Sequence, residues 1–262
     1  MENTNWLKQG KEPLFPDLLW SRPENKANAG KLLVVGGNLH GFSSVAEAFS
    51  AAEIAGIGTA RVLLPDKLEK TLSKVFPEAD FAPSTPVGSF ARTVLAKLVE
   101  ESEWADGVLL TGDFSKNSET SILLESFLEK YKGQATLVGD SLDYFLKSSF
   151  NLLNRQKTAI LADFSRLQAL AKHYQPNPPL AHDMGLYELI KALARWSSEV
   201  SASLITDHQG SLVVASGGKV STTPVKTVRF PELSAYISVW WLQNPSLAFE
   251  ALTSAVYDYE KK

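Results

Sequence analysis

An α/β fold built on a mostly parallel central sheet is predicted by three observations. Short, continuously apolar runs recur at residues 31–36, 59–64, 107–111, 135–139 and 158–161, a pattern that fits strands buried on both faces. Between them lie stretches with helical spacing of apolar residues, such as Val45, Ala48, Phe49 and Ala52, or Leu123, Phe127 and Tyr131. The alternation reads as repeated βα units. After Pro179 the pattern changes, and "SLITDHQGSLVVASGGKVSTT" places Gly217 and Gly218 at a hairpin turn, so that antiparallel strands finish the sheet.

Each element has a local reason. Residues 1–29 carry Trp6, Pro13, Phe15, Pro16 and Pro23 among polar residues and read as an N-terminal extension packed on one domain spanning residues 1–262. The strand at 31–36 runs into a turn at Gly36 and Gly37 and then into an alanine-rich helix. Ser44 and Glu47 have the spacing of a capping box at its start, and Gly56 lies where a helix C-cap is expected. A helix of crossover length then makes the strands at 31–36 and 59–64 parallel neighbours. The strands at 107–111 and 135–139 lead into "GDFSKNSET" and "VGDSLD", loops of the kind that collect ligands in open α/β sheets. "YQPNPPL" reads as a loop. A long helix is marked by Leu186, Leu189, Ile190, Leu193 and Trp196, and two more by Leu233, Tyr236, Ile237 and Trp240 and by Ala248, Ala251, Leu252 and Ala255.

Composition removes several function classes. A formal net charge of -3 with 21% charged residues offers no general attraction to phosphate polymers, so nucleic acid is not an expected partner. The chain has no cysteine, which excludes disulfides, thiolate metal sites, iron–sulfur clusters and cysteine nucleophiles. Neither a signal-peptide core nor a membrane-length apolar run is evident, so a cytoplasmic protein without a membrane partner is expected. His40, His173, His182 and His208 are dispersed and match no metal spacing, and neither a GxSxG elbow nor a Walker GxxxxGK[ST] occurs.

The remaining candidates sit at strand ends. Gly36 and Gly37 let the backbone approach a ligand closely, and the helix start beyond them offers free N–H groups; equally, the turn serves as a tight corner, since a dinucleotide fingerprint wants glycine where Asn38 stands. Asp113 and Asp140 are suited to hold a hydroxyl or a metal-bound phosphate, and Asp is also a common turn and N-cap residue. Trp240 and Trp241, at helical spacing with their apolar neighbours, read as core or as subunit interface.

Taken together, these motifs resemble the ribokinase-like domain of ADP/ATP-dependent NAD(P)H-hydrate dehydratases, the YjeF C-terminal-type carbohydrate kinases. "GKLLVVGGNLHGFSSVAEAFSAAEIAGIGTARVLLP" follows that family's G-x-V-L-V-I-G-G-S, Y-x-G-A and A-L-R-x-G-A-G-L-V elements without a gap. "ADGVLLTGDFSKNSET" stands where A-D-x-x-x-I-G-P-G-L-G falls, "GDSLDYF" where D-A-D-A-L-N-L-L falls, and "NPSLAFEALTSAVYDY" resembles the final helix. The resemblance implies a three-layer α/β sandwich that binds ATP or ADP with Mg at the C-terminal sheet edge and NAD(P)H hydrate beside it. It implies Gly36, Gly37, Asn38, Gly112 and Asp113 as cofactor-binding positions and a homo-oligomer, to which Trp240, Trp241, Tyr257 and Tyr259 contribute residue types favoured at interfaces.

The departures are as informative. Gly41, Ser43 and Ser44 replace the tyrosine, glycine and alanine of Y-x-G-A, Val138 replaces the first Asp of D-A-D-A-L, and the histidine of T-P-H-P-G-E is absent from "TAILADFSRL". Thr206, Asp207 and His208 stand in the K-G-A position without its lysine. The family's G-T-G-D turn, which supplies N–H donors and the base, is replaced by "TVRFPELSAYISVWW", where Pro231 donates no N–H. Asp140 and Glu232 are then the carboxylates left to act as a replacement catalytic base. The expectation is a divergent dehydratase-like or carbohydrate-kinase-like protein with impaired catalysis; the alternative is a noncatalytic nucleotide-binding or protein-interaction protein of the same fold.

Overall fold

Ten strands share one sheet in the computed structural model of the chain, which describes residues 5–146 and 148–262. The first elements are β1 (Asn5–Lys8) and α1 (Pro16–Trp20), the latter entered through Pro16, whose fixed φ suits a first helical turn. β2 (Lys31–Gly36), α2 (Ser43–Ile54), β3 (Thr59–Pro65), the single turn α3 (Glu69–Leu72) and β4 (Ala79–Ala82) follow. Next come α4 (Leu95–Trp104), β5 (Gly107–Gly112), α5 (Ser118–Lys130), β6 (Gln134–Val138), β7 (Thr158–Leu161) and α6 (Phe164–Tyr174). The chain ends with α7 (Leu186–Glu199), β8 (Ser203–His208), β9 (Ser211–Ser216), β10 (Lys219–Pro224), α8 (Phe230–Gln243) and α9 (Ala248–Lys261).

The strand order is β1-β10-β9-β8-β7-β6-β5-β2-β3-β4, parallel from β8 to β4, with β9 antiparallel to both of its neighbours. Helices cover both faces, which makes three layers. Leu33, Val35, Val108, Leu110 and Ile160 point into one core with α4, α5, α6 and α7, while Leu32, Val34, Leu109 and Leu161 point into the other with α2, α8 and α9. Successive strand side chains are therefore buried alternately on opposite faces, which is why these strands read as unbroken apolar runs. β2 and β3 are parallel neighbours, Lys31 opposite Thr59 and Val35 opposite Leu63, as their crossover length requires. Gly217 and Gly218, with φ of 55° and 80°, make the β9–β10 turn.

Two local expectations fail. α2 begins at Ser43, Phe42 is its N-cap without a side-chain cap bond, and the expected capping box of Ser44 and Glu47 does not form. The Ser44 N–H is instead bonded to the Asp113 carboxylate from the neighbouring loop at 2.9 Å, so a tertiary partner displaces the local one. At the other end of α2, Gly56 lies just past the cap with its N–H on Glu53 O at 3.0 Å, as expected. Of the aromatic set offered for an oligomer interface, Trp240, Trp241 and Tyr259 are 0%, 5% and 7% exposed within one chain and so are core, while Tyr257 is half-buried with its hydroxyl donating to Lys11 O at 3.1 Å. Trp240 Nε1 donates to Asp258 at 3.0 Å.

The N-terminal segment is tied down at both ends. Trp6 Nε1 donates to Thr222 Oγ1 at 3.1 Å beside the parallel pairing of β1 with β10. Arg22 donates to Asp258 at 3.2 Å and to Ala55 O, and its guanidinium lies 4.6 Å from the centre of the Trp240 ring. No helix among the described residues is long and apolar enough to cross a membrane.

Candidate active site

Six of the seven sequence-predicted positions converge at the C-terminal edge of the sheet. β2 ends at Gly36 opposite Gly112 of β5, with a register shift between Val35 and Gly36. The approach is so close that a Cβ on Gly36 would lie 2.5 Å from both Gly112 O and Thr111 Oγ1, so only glycine fits. Gly37 then donates its N–H to Gly112 O at 3.0 Å.

Asn38 and Asp113 knit the two loops together. Asn38 exchanges backbone bonds with Gly41, accepts the His40 N–H at 2.7 Å through Oδ1 and donates through Nδ2 to Asp113 O. Its side-chain oxygen is thus engaged within the turn and its nitrogen on the neighbouring loop. Asp113 completes the tie by accepting Ser44 N–H, the orphan donor in the first turn of α2, whose positive end favours an anion. The chain's own carboxylate holds the place that the sequence reserved for a ligand's anion.

The loop after β5 is held in an uncommon backbone form. Gly112, Asp113 and Ser115 have φ of 117°, 59° and 58°, the left-handed side that L-residues rarely adopt. Its supports come from the segment after β6: Asp140 Oδ1 accepts the Phe114 N–H at 3.4 Å, and the Tyr144 hydroxyl donates to Ser115 O. Ser89, from the loop after β4, meets Ser115 hydroxyl to hydroxyl. Burial pushes the Asp140 carboxyl above the usual carboxylate range; the Phe114 bond opposes this, and the charges of Asp113 and Asp143 reinforce it. Burial likewise drives the Tyr144 phenol up to about 12, which keeps it a donor at neutral pH.

The acidic row continues along the edge. Arg166 bridges Asp143 at 3.1 Å and Asp163 at 2.9 Å, and Asp163 caps α6 by accepting Arg166 N–H at 2.8 Å. At the end of β8, burial raises the Asp207 carboxyl, with Asp163 adding to the effect. The Tyr144–Ser115 and Arg166–Asp143 contacts span 29 and 23 residues and leave no local signal in the sequence, whereas Asp163 and Arg166 stand three residues apart. No group of three or more His, Asp or Glu among the described residues is arranged to hold a metal ion.

Glu232, the seventh position, is engaged elsewhere. It lies in the first turn of α8, after Pro231, and accepts from Arg229 at 3.1 Å and Lys262 at 2.8 Å. Desolvation, the largest single influence, raises its carboxyl, but the two cations together outweigh it and hold the group below the usual range. Such a carboxylate is a poor proton acceptor and a good helix-terminus anchor.

No family model matches the chain, and no curated protein matches it. Solved structures do. A ribokinase-like superfamily protein from Enterococcus faecalis is similar over all of this chain and 88% of its own, at 17% identity and a TM-score of 0.75. A protein from Streptococcus mutans is similar over 94% of this chain and 88% of its own, at 16% identity and a TM-score of 0.70. The ADP/ATP-dependent NAD(P)H-hydrate dehydratase of Bacillus subtilis, co-crystallized with ATP and Mg2+, is similar over 97% of this chain and 89% of its own, at 14% identity and a TM-score of 0.65. At such identities the likeness is one of fold, and the fold is ribokinase-like.

Proposed function

We propose that this chain is a ribokinase-like protein that keeps the strand-end site of the dehydratase and carbohydrate-kinase fold but has lost ADP/ATP-dependent phosphoryl transfer. The observation that carries this reading is the Asp113 carboxylate on Ser44 N–H, which sets a fixed negative charge against the helix start where a phosphate would approach. The donor set around it argues in the same direction: Asp113, Asp140 and Asp143 are acceptors when ionised, and the side-chain amide of Asn38 is already bonded. A nucleotide phosphate does not fit these groups as they stand. A ligand bearing hydroxyl donors suits the row of carboxylates better, which makes the protein a noncatalytic binder of a small polar molecule.

The burial of Asp140 favours a second reading. A carboxyl with a raised proton affinity at a strand end is suited to accept a proton from a bound hydroxyl, which would make the chain a divergent NAD(P)H-hydrate dehydratase or small-molecule kinase using Asp140 as base. One assay separates the two. Purified protein is incubated with hydrated NADH and either ATP or ADP with Mg2+, and recovery of the nicotinamide absorbance is followed. The first reading expects no turnover above the protein-free rate. Turnover that disappears in Asp140→Asn but survives in Glu232→Gln would establish the second.

A further inference from the structure

At the opposite end of the strands from Asp113 and Asp140 lies a cavity of about 450 Å3, between the end of α5 and the segment that enters β7. Its walls are Leu128 and Phe150 on the apolar side and Lys132, Arg155, Asn151 and Asn154 on the polar side. Arg155 is 9% exposed and spends its whole fork on neutral acceptors. Nε donates to Leu128 O at 3.4 Å, Nη1 to Gln156 O at 3.1 Å and Thr158 Oγ1 at 2.9 Å, and Nη2 to Tyr131 O at 2.6 Å and Gly133 O at 2.9 Å. Lys132 Nζ donates to the main-chain oxygen of Glu129. Among the described residues neither cation is in an ion pair.

A buried guanidinium bonded only to carbonyls and a hydroxyl is satisfied as a donor but not neutralised as a charge. Its field, with that of Lys132, falls on a cavity to which no carboxylate contributes. The amides add direction: Asn151 Oδ1 accepts the Asn154 N–H at 3.2 Å, which fixes that side chain and leaves its Nδ2 to donate. The volume is within the range of small-ligand pockets, about 300–1,000 Å3. Because every N–H of the Arg155 fork is used, the cavity has no bidentate clamp for a phosphate, and the attraction is one of charge and apolar contact.

We propose that this cavity binds a small aromatic monocarboxylate, its charged head toward Lys132 and the asparagine amides and its ring against Leu128 and Phe150. Benzoate is the probe, benzyl alcohol its neutral counterpart, and inorganic phosphate the anion without an apolar body. In a titration followed by 15N-resolved NMR of the whole chain, benzoate is expected to move the side-chain amide signals of Asn151 and Asn154 saturably, with a Kd of about 1 mM, the affinity that a ligand of this size can reach. Lys132→Glu, an exposed position, is expected to weaken benzoate binding by about 10-fold while leaving the remainder of the spectrum in place. Asp140→Asn, at the far end of the sheet, leaves it unchanged. The proposal is overturned by any of four results: no saturable shift with benzoate, equal binding of benzyl alcohol, tighter binding of phosphate than of benzoate, or undiminished binding in Lys132→Glu. Each of these readings is independent of any turnover at the strand-end site.

Discussion

Asp140 is a carboxyl that the fold holds at a cost. Its folded-state proton affinity is raised chiefly by burial, so the charged form is disfavoured in the native state relative to the unfolded one. The sign follows: its contribution to stability is fully present below the unfolded carboxylate pKa and is lost as pH rises through the raised folded value. Asp140→Asn removes the charge and keeps an acceptor toward Phe114. It should therefore raise Tm at pH 7, by up to about 2–4 °C for a gain of roughly 1 kcal/mol, and the gain should vanish as thermal melts are taken to acid pH. Asp113 is the opposite case, because its carboxylate caps α2 and its backbone is left-handed. Asp113→Ala should lose the cap, about 1 kcal/mol, and keep the left-handed strain; Asp113→Gly should lose the cap but relieve a left-handed strain of about 1–2 kcal/mol. Denaturant melts of the two variants would separate these costs, and equal losses would refute the division.

Where elements meet, the tightest constraint is the crossing of β2 and β5. A methyl group on Gly36 has no room, so Gly36→Ala must part the two strands, with an expected loss of at least about 1–3 kcal/mol in equilibrium unfolding. The central strands were legible in the sequence because burial on both faces writes a continuous apolar run. The edge strands β1 and β4 were not. Each has four residues and carries a polar or charged side chain within it, as Lys8 and Asp80 do, so neither produces a run. The start of α2 shows a second kind of blindness. Ser44 and Glu47 spell a capping box, but Asp113, 69 residues away, takes the Ser44 N–H, and local spacing carries no trace of a partner brought in by the sheet.

Over the molecule as a whole, the strand-end position of the candidate site was legible, since βα loops on one edge of a parallel sheet must converge. The second cation on Glu232 had no local trace either: Arg229 lies three residues away, but Lys262 comes from the far end of the chain. Arg22 joins the N-terminal segment to the end of α2 and to α9 at once. Arg22→Ala should cost about 1–3 kcal/mol and speed limited proteolysis at residues 10–30 before any loss of the sheet's circular dichroism. Unchanged cleavage there would show that apolar contacts such as Phe15 on Phe249 hold the segment alone. Trp240, Trp241 and Tyr259 are consumed by the chain's own core.

The pairing of β1 with β10 also sets a schedule for the ribosome. Asn5 must find Lys219 and Lys8 must find Thr222, so β1 has to wait for a strand made much later. At translation speeds of about 5–20 residues per second, that wait lasts some ten seconds or more. Meanwhile β2, β3, β5, β6 and β7 can add one to another in the order they emerge, each beside a strand already in place or the next to come. The Trp6 indole lacks its Thr222 partner throughout this interval. β1 thus stays outside the sheet until the hairpin of β9 and β10 gives it an edge to join.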